Sequence, residues 1–197
     1  HQTGVQLTWP HADTDWKPYL EDITDTFVQI AKAIAHYEPL IVAARQPDEV
    51  RELLAESLND EEMSRVRIYA CDNNDTWARD HAFITLLPKA GEGEPHLVDF
   101  RFNALNRQLF ELGAYKGVYV DENQFVLEGG SIESDGKGTI MTTSQCLLAP
   151  HRNQPMTKEE IEEHIKTVLG ADRVVWLDHG NLLGDDTDGH IDTIVRF

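Results

Sequence analysis

The sequence predicts an α/β protein, and three observations carry that reading. Short β-branched runs alternate with amphipathic helical stretches along the whole chain. One helical stretch has both a capping signature at its start and a glycine stop at its end. An Asp135-Gly136 pair between two alternating runs marks a hairpin.

Gly4 to Pro10 reads as a short strand closed by proline. Trp16 to His36 carries Ile23, Phe27, Ile30, Ala31 and Ile34 at spacings of three and four, one stripe on a helix. Pro39 breaks that helix, and Leu40 to Ala44 is a buried-type strand. Asp48 to Leu58 is a second amphipathic helix, with Val50, Leu53, Leu54 and Leu58 on one side. Strands follow at Val66 to Ala70 and Ala82 to Leu87, the latter bounded by Pro88 and a Gly91-Glu92-Gly93 turn. Val118 to Val120 and Phe125 to Leu127 read as strands, then Ser131 to Ser134 and Thr139 to Thr143 as the hairpin. In the capped helix, the Thr157 hydroxyl meets the Glu160 amide while Glu160 reaches back; Ile161, Ile165, Val168 and Leu169 form the stripe and Gly170 ends it. Arg173 to Leu177 and Ile191 to Arg196 close the series as strands.

The formal charge is −18, from 35 acidic against 17 basic residues, so nucleic acid is repelled and a small cation is attracted. No apolar run approaches the roughly 20 residues of a membrane-spanning helix, and no basic leader precedes an apolar stretch. Neither a membrane nor a nucleic-acid partner is expected, while self-association into a homo-oligomer is left open. Cys71 and Cys146 are far apart and lack metal-ligand spacing, which suits a reducing, cytoplasmic setting and predicts no metal and no cofactor. Both ends, His1 and Phe197, read as cuts.

Three clusters set ionisable groups beside Gly or Trp at strand ends. In Asn74 to Asp80, the Trp77 face and the Asp80 carboxylate could hold a flat cation, or Arg79 could form a structural ion pair under the tryptophan. In Leu127 to Ser131, Glu128 sits before two glycines, and a buried carboxylate there needs a partner such as histidine. In Asp185 to Asp192, His190 and Asp192 leave one face if the segment is a strand, with Gly189 freeing the backbone before them; the bland reading is an acidic surface loop.

Taken in order, these clusters resemble the signature of the agmatine deiminase family, which includes the bacterial peptidylarginine deiminases. The matching pieces are Trp9-Pro10 with Trp16, Asn-Asp-x-Trp-x-Arg-Asp at 74 to 80, Leu-Glu-Gly-Gly-Ser at 127 to 131, Thr-Thr-x-x-Cys-Leu-Leu at 142 to 148 with Asn153, and Thr-Asp-Gly-His-Ile-Asp at 187 to 192 with Arg196-Phe197. The resemblance implies a pentein fold, a pseudo-fivefold α/β propeller, here an incomplete fan of about three modules forming a single incomplete domain over residues 1–197. It implies that Asp80 and Asp192 grip a small cationic guanidine substrate, that His190 is the general acid/base, that Glu128 orients or charges His190, and that Trp77 packs on the substrate. The implied reaction is hydrolysis of agmatine to N-carbamoylputrescine and ammonia, a step of polyamine synthesis, through a cysteine thiouronium. The family's nucleophile lies in a late Gly-rich segment that this chain lacks, so the chain alone is expected to be inactive. Peptidylarginine is the alternative substrate. From another class comes a metal-dependent hydrolase or cation-binding module using Asp185, Asp186, Asp188, His190 and Asp192 with Glu128; a non-catalytic binding fragment is the third reading.

Overall fold

Three three-stranded sheets with helical crossovers form the computed structural model, which describes residues 2–89, 93–179, 183–184 and 187–197. In chain order the elements are β1 (Val5–Thr8), α1 (Leu20–Tyr37), β2 (Leu40–Ala44), α2 (Pro47–Ser57), α3 (Asp60–Ser64), β3 (Val66–Ala70), α4 (Ala78–His81), β4 (Ile84–Leu86) and β5 (His96–Phe100). There follow α5 (Leu105–Glu111), β6 (Val118–Glu122), β7 (Ile132–Ser134), β8 (Thr139–Thr143), α6 (Ser144–Leu147), α7 (Lys158–Leu169) and β9 (Arg173–Leu177). They pack as two compact units, His1–Ala78 with Asn103–Gly117, and Arg79–Phe102 with Val118–Phe197.

In the first unit, β1, β2 and β3 are all parallel, with Val5 opposite Leu40 and Leu40 opposite Val66. Parallel neighbours need long crossovers, and α1 and the α2–α3 pair supply them. Pro47 stands at the start of α2, where a missing N–H costs nothing. The buried line of α1 is Val28, Ala31 and Ala35, and Ile30 of the expected stripe is largely outside it. Two alanines, both fully buried, let the helix approach the sheet closely, with Phe27 and Ile34 flanking that line. Trp9, Leu40, Val42, Leu54 and Val66 complete this core, and α5 adds Leu105 and Leu109 against Ala43 and Cys71.

In the second unit, β5 pairs antiparallel with β4 and parallel with β6, and β8 pairs antiparallel with β7 and parallel with β9. The hairpin turns as its chemistry dictates. Asp135 Oδ1 accepts the Lys137 and Thr139 amides at 2.7 and 2.9 Å, and Gly136 takes φ +64°. The crossover helix α7 has its reciprocal cap, Glu160 N–H to Thr157 Oγ1 at 3.2 Å and Thr157 N–H to Glu160 Oε2 at 2.7 Å, and Gly170 ends it at φ +63°. Ile161 and Ile165 bury that helix against Val98, Phe125, Leu127, Ile132 and Ile140.

Two expected strands are not strands. Phe125 to Leu127 is irregular yet buried, because a side chain takes the place of a neighbouring strand: Val126 N–H donates to Asn153 Oδ1 at 2.8 Å, and Asn153 Nδ2 donates to the Val126 carbonyl at 2.9 Å. Ile191 to Arg196 begins as a turn, with the Ile194 and Val195 amides both on the Ile191 carbonyl at 2.9 and 3.0 Å. The strand expected at Ala82 to Leu87 shortens to β4, and β5 and α5 were not anticipated. Of the expected Gly91-Glu92-Gly93 turn, Gly91 and Glu92 lie outside the described residues, and Gly93 has φ +105°.

Asn153→Ala is expected to strip both partners from Val126 and lower stability by roughly 2 kcal/mol or more, measured as a lower urea midpoint with an unchanged slope. An unchanged midpoint would show that water replaces the amide there without cost.

Candidate active site

The second unit gathers Asp80, Glu128, His190 and Asp192 around a backbone turn. Asp80 rides on α4, Glu128 precedes the 3-10 turn Gly129–Ser131, and His190 and Asp192 sit in the loop that ends in the Ile191 turn. Gly130 is the centre of the group. Its N–H donates to Asp80 Oδ1 at 2.9 Å, and its carbonyl accepts the Asp192 amide at 3.2 Å. A Cβ placed on Gly130 would lie 2.5 Å from Asp80 Oδ1, 2.6 Å from His190 Nδ1 and 3.0 Å from Asp192 Oδ2. Three ionisable side chains thus converge on the space that a side chain would fill. At Gly129 a Cβ would collide with the backbone oxygen of Arg79, so each glycine of the pair answers a different steric demand.

The imidazole lies between carboxylates, His190 Nδ1 being 3.5 Å from Asp80 Oδ1 and Nε2 4.0 Å from Glu128 Oε1. Yet the hydrogen bonds of Glu128 run to an arginine. Arg152, with its side chain 6% exposed, donates from Nη2 and Nε to Glu128 Oε1 at 2.9 and 3.1 Å and from Nε to Oε2 at 3.3 Å. Its Nη1 donates to Asp188 Oδ2 at 3.0 Å and to the Cys146 carbonyl at 3.3 Å, and Nη2 also reaches the Thr187 carbonyl at 3.3 Å. One guanidinium therefore joins the Glu128 turn, α6 and the His190 loop. In that loop Asp188 adopts a left-handed φ of +59° and Gly189 one of +82°. Thr187 Oγ1 accepts the His190 amide at 3.1 Å, and Thr143 Oγ1 donates to the Gly189 carbonyl at 2.6 Å. His190 and Asp192 share this place through loop hydrogen bonds and the Ile191 turn, not through the strand expected of them.

Burial raises the pKa of Asp80 above the ordinary carboxylate value. His190 and the Gly130 amide pull it down, and Asp192 and Glu128 push it up further. Arg79 sits 3.8 Å from Asp192 through Nε and 3.3 Å from Glu133 through Nη2, the acidic pairing expected for it. Trp77 belongs to the first unit, where it is 56% exposed and tilts against Trp16 at 5.9 Å between ring centroids. Of the acidic run considered as a metal cluster, Asp185 and Asp186 lie outside the described residues, and Asp188 is engaged by Arg152 and by His151 Nε2 at 2.8 Å. The residue missed by sequence reasoning is Arg152. Its signal is a lone arginine beside Asn153, in an acid-rich chain with a buried glutamate to pair.

The profile of the Porphyromonas-type peptidyl-arginine deiminases matches residues 1–197. The chain belongs to that deiminase family. Among relatives of this deiminase-family chain, agmatine deiminase of Pseudomonas syringae pv. syringae is 36% identical over 210 residues, covering 97% of this chain and 54% of its own length. A solved Porphyromonas gingivalis structure provisionally named arginine deiminase is 42% identical with a TM-score of 0.87, covering 100% of this chain and 60% of that one. A substrate-bound cysteine-to-serine variant of C. jejuni agmatine deiminase is 32% identical with a TM-score of 0.84, covering 100% and 59%. The fold is the pentein fold, and the chain spans about half the length of the curated relatives it matches. Among the described residues no helix is long and apolar enough to cross a membrane.

Gly130→Ala is expected to leave the circular dichroism spectrum intact while forcing Asp80, His190 and Asp192 apart. Binding of a methylguanidinium probe, followed by the imidazole NMR signals of His190, should weaken by about 100-fold; unaltered binding would mean that the space at Gly130 is not where a cation sits.

Proposed function

We propose that this chain supplies the guanidinium grip and the acid/base histidine of an agmatine deiminase. What supports the reading most is the convergence of Asp80 Oδ1, His190 Nδ1 and Asp192 Oδ2 within 3.0 Å of one point. A guanidinium is planar, carries N–H donors on every edge and resists nucleophiles because its charge is delocalised. Two carboxylates on separate edges fix its plane and offset its desolvation, and an imidazole beside them can pass a proton to a departing nitrogen. Asp80 and Asp192 accept the guanidinium N–H groups. A thiolate adds to the amidine carbon, His190 protonates the leaving ammonia, and the same imidazole then takes a proton from the water that replaces sulfur. The products are ammonia and the ureido compound, N-carbamoylputrescine from agmatine. Arg152 holds Glu128 beside His190 and so acts on the reaction through that loop.

The thiolate we assign to a segment outside these 197 residues. Burial pushes the Cys146 thiol up to about 12 and the Cys71 thiol up to about 11, the opposite of an activated nucleophile. The relatives are about twice as long as the matched region. The two free, buried cysteines suit the cytoplasm. Because the matching profile is named for peptidyl-arginine, a peptide arginine is the second substrate to test.

The isolated chain is expected to release no ammonia from agmatine or from an arginine peptide, whereas the longer protein containing it releases ammonia from agmatine. Turnover by the isolated chain that disappears in Cys146→Ser would overturn the assignment of the nucleophile; preference of the longer protein for the peptide would move the substrate, not the chemistry.

The raised Asp80 pKa sets a pH dependence. In the ligand-free chain the native state holds its Asp80 proton to higher pH than the unfolded state. The associated stability is therefore present below the unfolded value of about 3.9 and lost as pH rises through the folded value. Asp80→Asn should remove that loss and stabilise the ligand-free chain at neutral pH while abolishing agmatine binding. Calorimetry in two buffers of different ionisation enthalpy should also show agmatine displacing a proton as pH falls toward the folded value. A variant that loses stability at neutral pH and still binds agmatine would contradict both halves.

A further inference from the structure

We propose that Glu128, Cys146 and His190 form a site for a thiophilic divalent cation of the zinc class, whose occupancy excludes a guanidinium from the adjoining carboxylates. One donor atom from each residue, a carboxylate oxygen, the Cys146 sulfur and a ring nitrogen of His190, lies within 4.8 Å of the other two. All three residues are nearly or wholly out of solvent, at 9%, 0% and 6% exposure. Tetrahedral zinc with bonds of about 2.0–2.3 Å holds its ligand atoms roughly 3.3–3.8 Å apart, so the longest side of this triangle need close by only about 1 Å. Closing it on metal binding would fall to the Glu128 and His190 side chains.

The donor types choose the ion. Calcium and magnesium require a shell of oxygens, whereas sulfur, nitrogen and one carboxylate suit zinc, cadmium and cobalt. This distinguishes the site from the run of aspartates in the His190 loop, which offers hard oxygens and whose Asp188 is already paired with Arg152. Charge permits the ion. The Cys146 thiol releases its proton to solvent as the metal binds, the thiolate and Glu128 then offset the dication, and Asp80 and Asp188 add negative charge nearby against Arg152. Arg152 does not exhaust Glu128, since a carboxylate offers about four acceptor positions and Oε2 receives only the long Nε contact of 3.3 Å.

The consequence is inhibitory. A histidine that ligates a metal gives up the lone pair needed to accept a proton, and a dication beside Asp80 repels a substrate cation. Glu128 Oε1 lies 4.0 Å from His190 Nε2 and Asp80 Oδ1 3.5 Å from Nδ1, so a metal shared with Glu128 would take the Nε2 edge and leave the Nδ1 edge to the carboxylates at Gly130. The two cations thus use opposite edges of one ring.

The test uses chelator-treated protein titrated with cobalt(II) and cadmium(II). One equivalent of each should bind with a sulfur-to-metal charge-transfer absorption, and zinc should displace both. The absorption should persist in Cys71→Ser and vanish in Cys146→Ser, with zinc affinity lower by at least about 10-fold in the latter. His190→Asn, read in the same way, decides the matter if Cys146→Ser does not fold. Absence of a sulfur band at one equivalent, or its survival in both site variants, overturns the proposal. Zinc should also weaken agmatine binding, an arm that rests on the guanidinium reading above. If zinc binds through sulfur while metal-free protein ignores agmatine, the metal site stands and that earlier reading fails.

Discussion

A buried guanidinium belonging to the protein itself decides which acids of the site remain available. Arg152 places its donors on Glu128, on Asp188 and on two backbone carbonyls, and its side chain is almost wholly shielded. A buried carboxylate without such a partner costs several kcal/mol, more than most single contacts return. With Arg152 in place, Glu128 and Asp188 are matched, whereas Asp80 and Asp192 face the imidazole with weaker ties. The internal cation thereby separates the carboxylates into a structural pair and a receptive pair. The receptive pair offers the same two-carboxylate complementarity as the structural one, which is why our proposal seats a second guanidinium there.

Backbone geometry, more than sheet geometry, brings the receptive pair together. Gly130 bonds the side chain of one acid through its N–H and the backbone of the other through its carbonyl. Its missing Cβ leaves the volume on which their oxygens point. The β7–β8 hairpin and the Asn153 amide hold the segment from Val126 to Ser131 on either side of that turn, so elements with no ionisable role fix where Glu128 and Gly130 stand. On the opposite wall, the left-handed Asp188 and Gly189 allow Thr187 and His190 to fold back onto each other. Asp at such a φ is tolerated more readily than a β-branched residue, and its ion pair with Arg152 offsets what strain remains.

Legibility in the sequence followed the range of the interactions involved. Leu40–Ala44, Val66–Ala70, Arg173–Leu177, the hairpin turn and both ends of α7 were readable because periodicity, caps and turn residues are local. Phe125–Leu127 and Ile191–Arg196 have strand-like side chains, but strand identity is conferred by a backbone partner, and here the partners are the Asn153 amide and the Ile191 carbonyl. The α1 stripe is legible in Phe27, Ala31 and Ile34, whereas Ile30 faces outward and Val28 and Ala35 complete the buried line, because small residues permit the closest helix–sheet approach. At the site, motif order indicated which residues to watch. Their pairing was not readable, since Glu128 is joined to an arginine 24 positions away in a loop that no local rule connects to it.

The crowding of acids around one imidazole also explains why the site is poised toward cations at all. In the absence of a ligand, burial and the neighbouring acids make the ionised form of Asp80 unfavourable, and a proton is the smallest cation that relieves it. A guanidinium, in the role we propose, would relieve it better, because it would satisfy Asp80 and Asp192 together with donors of the geometry that each carboxylate accepts. A thiophilic metal would relieve the same field from the other edge of His190, where Cys146 adds a ligand that a guanidinium cannot use. The electrostatic demand is common to all three cations. What separates them is the atoms that meet them: oxygens around an open Cα on one edge of the ring, sulfur and a matched glutamate on the other.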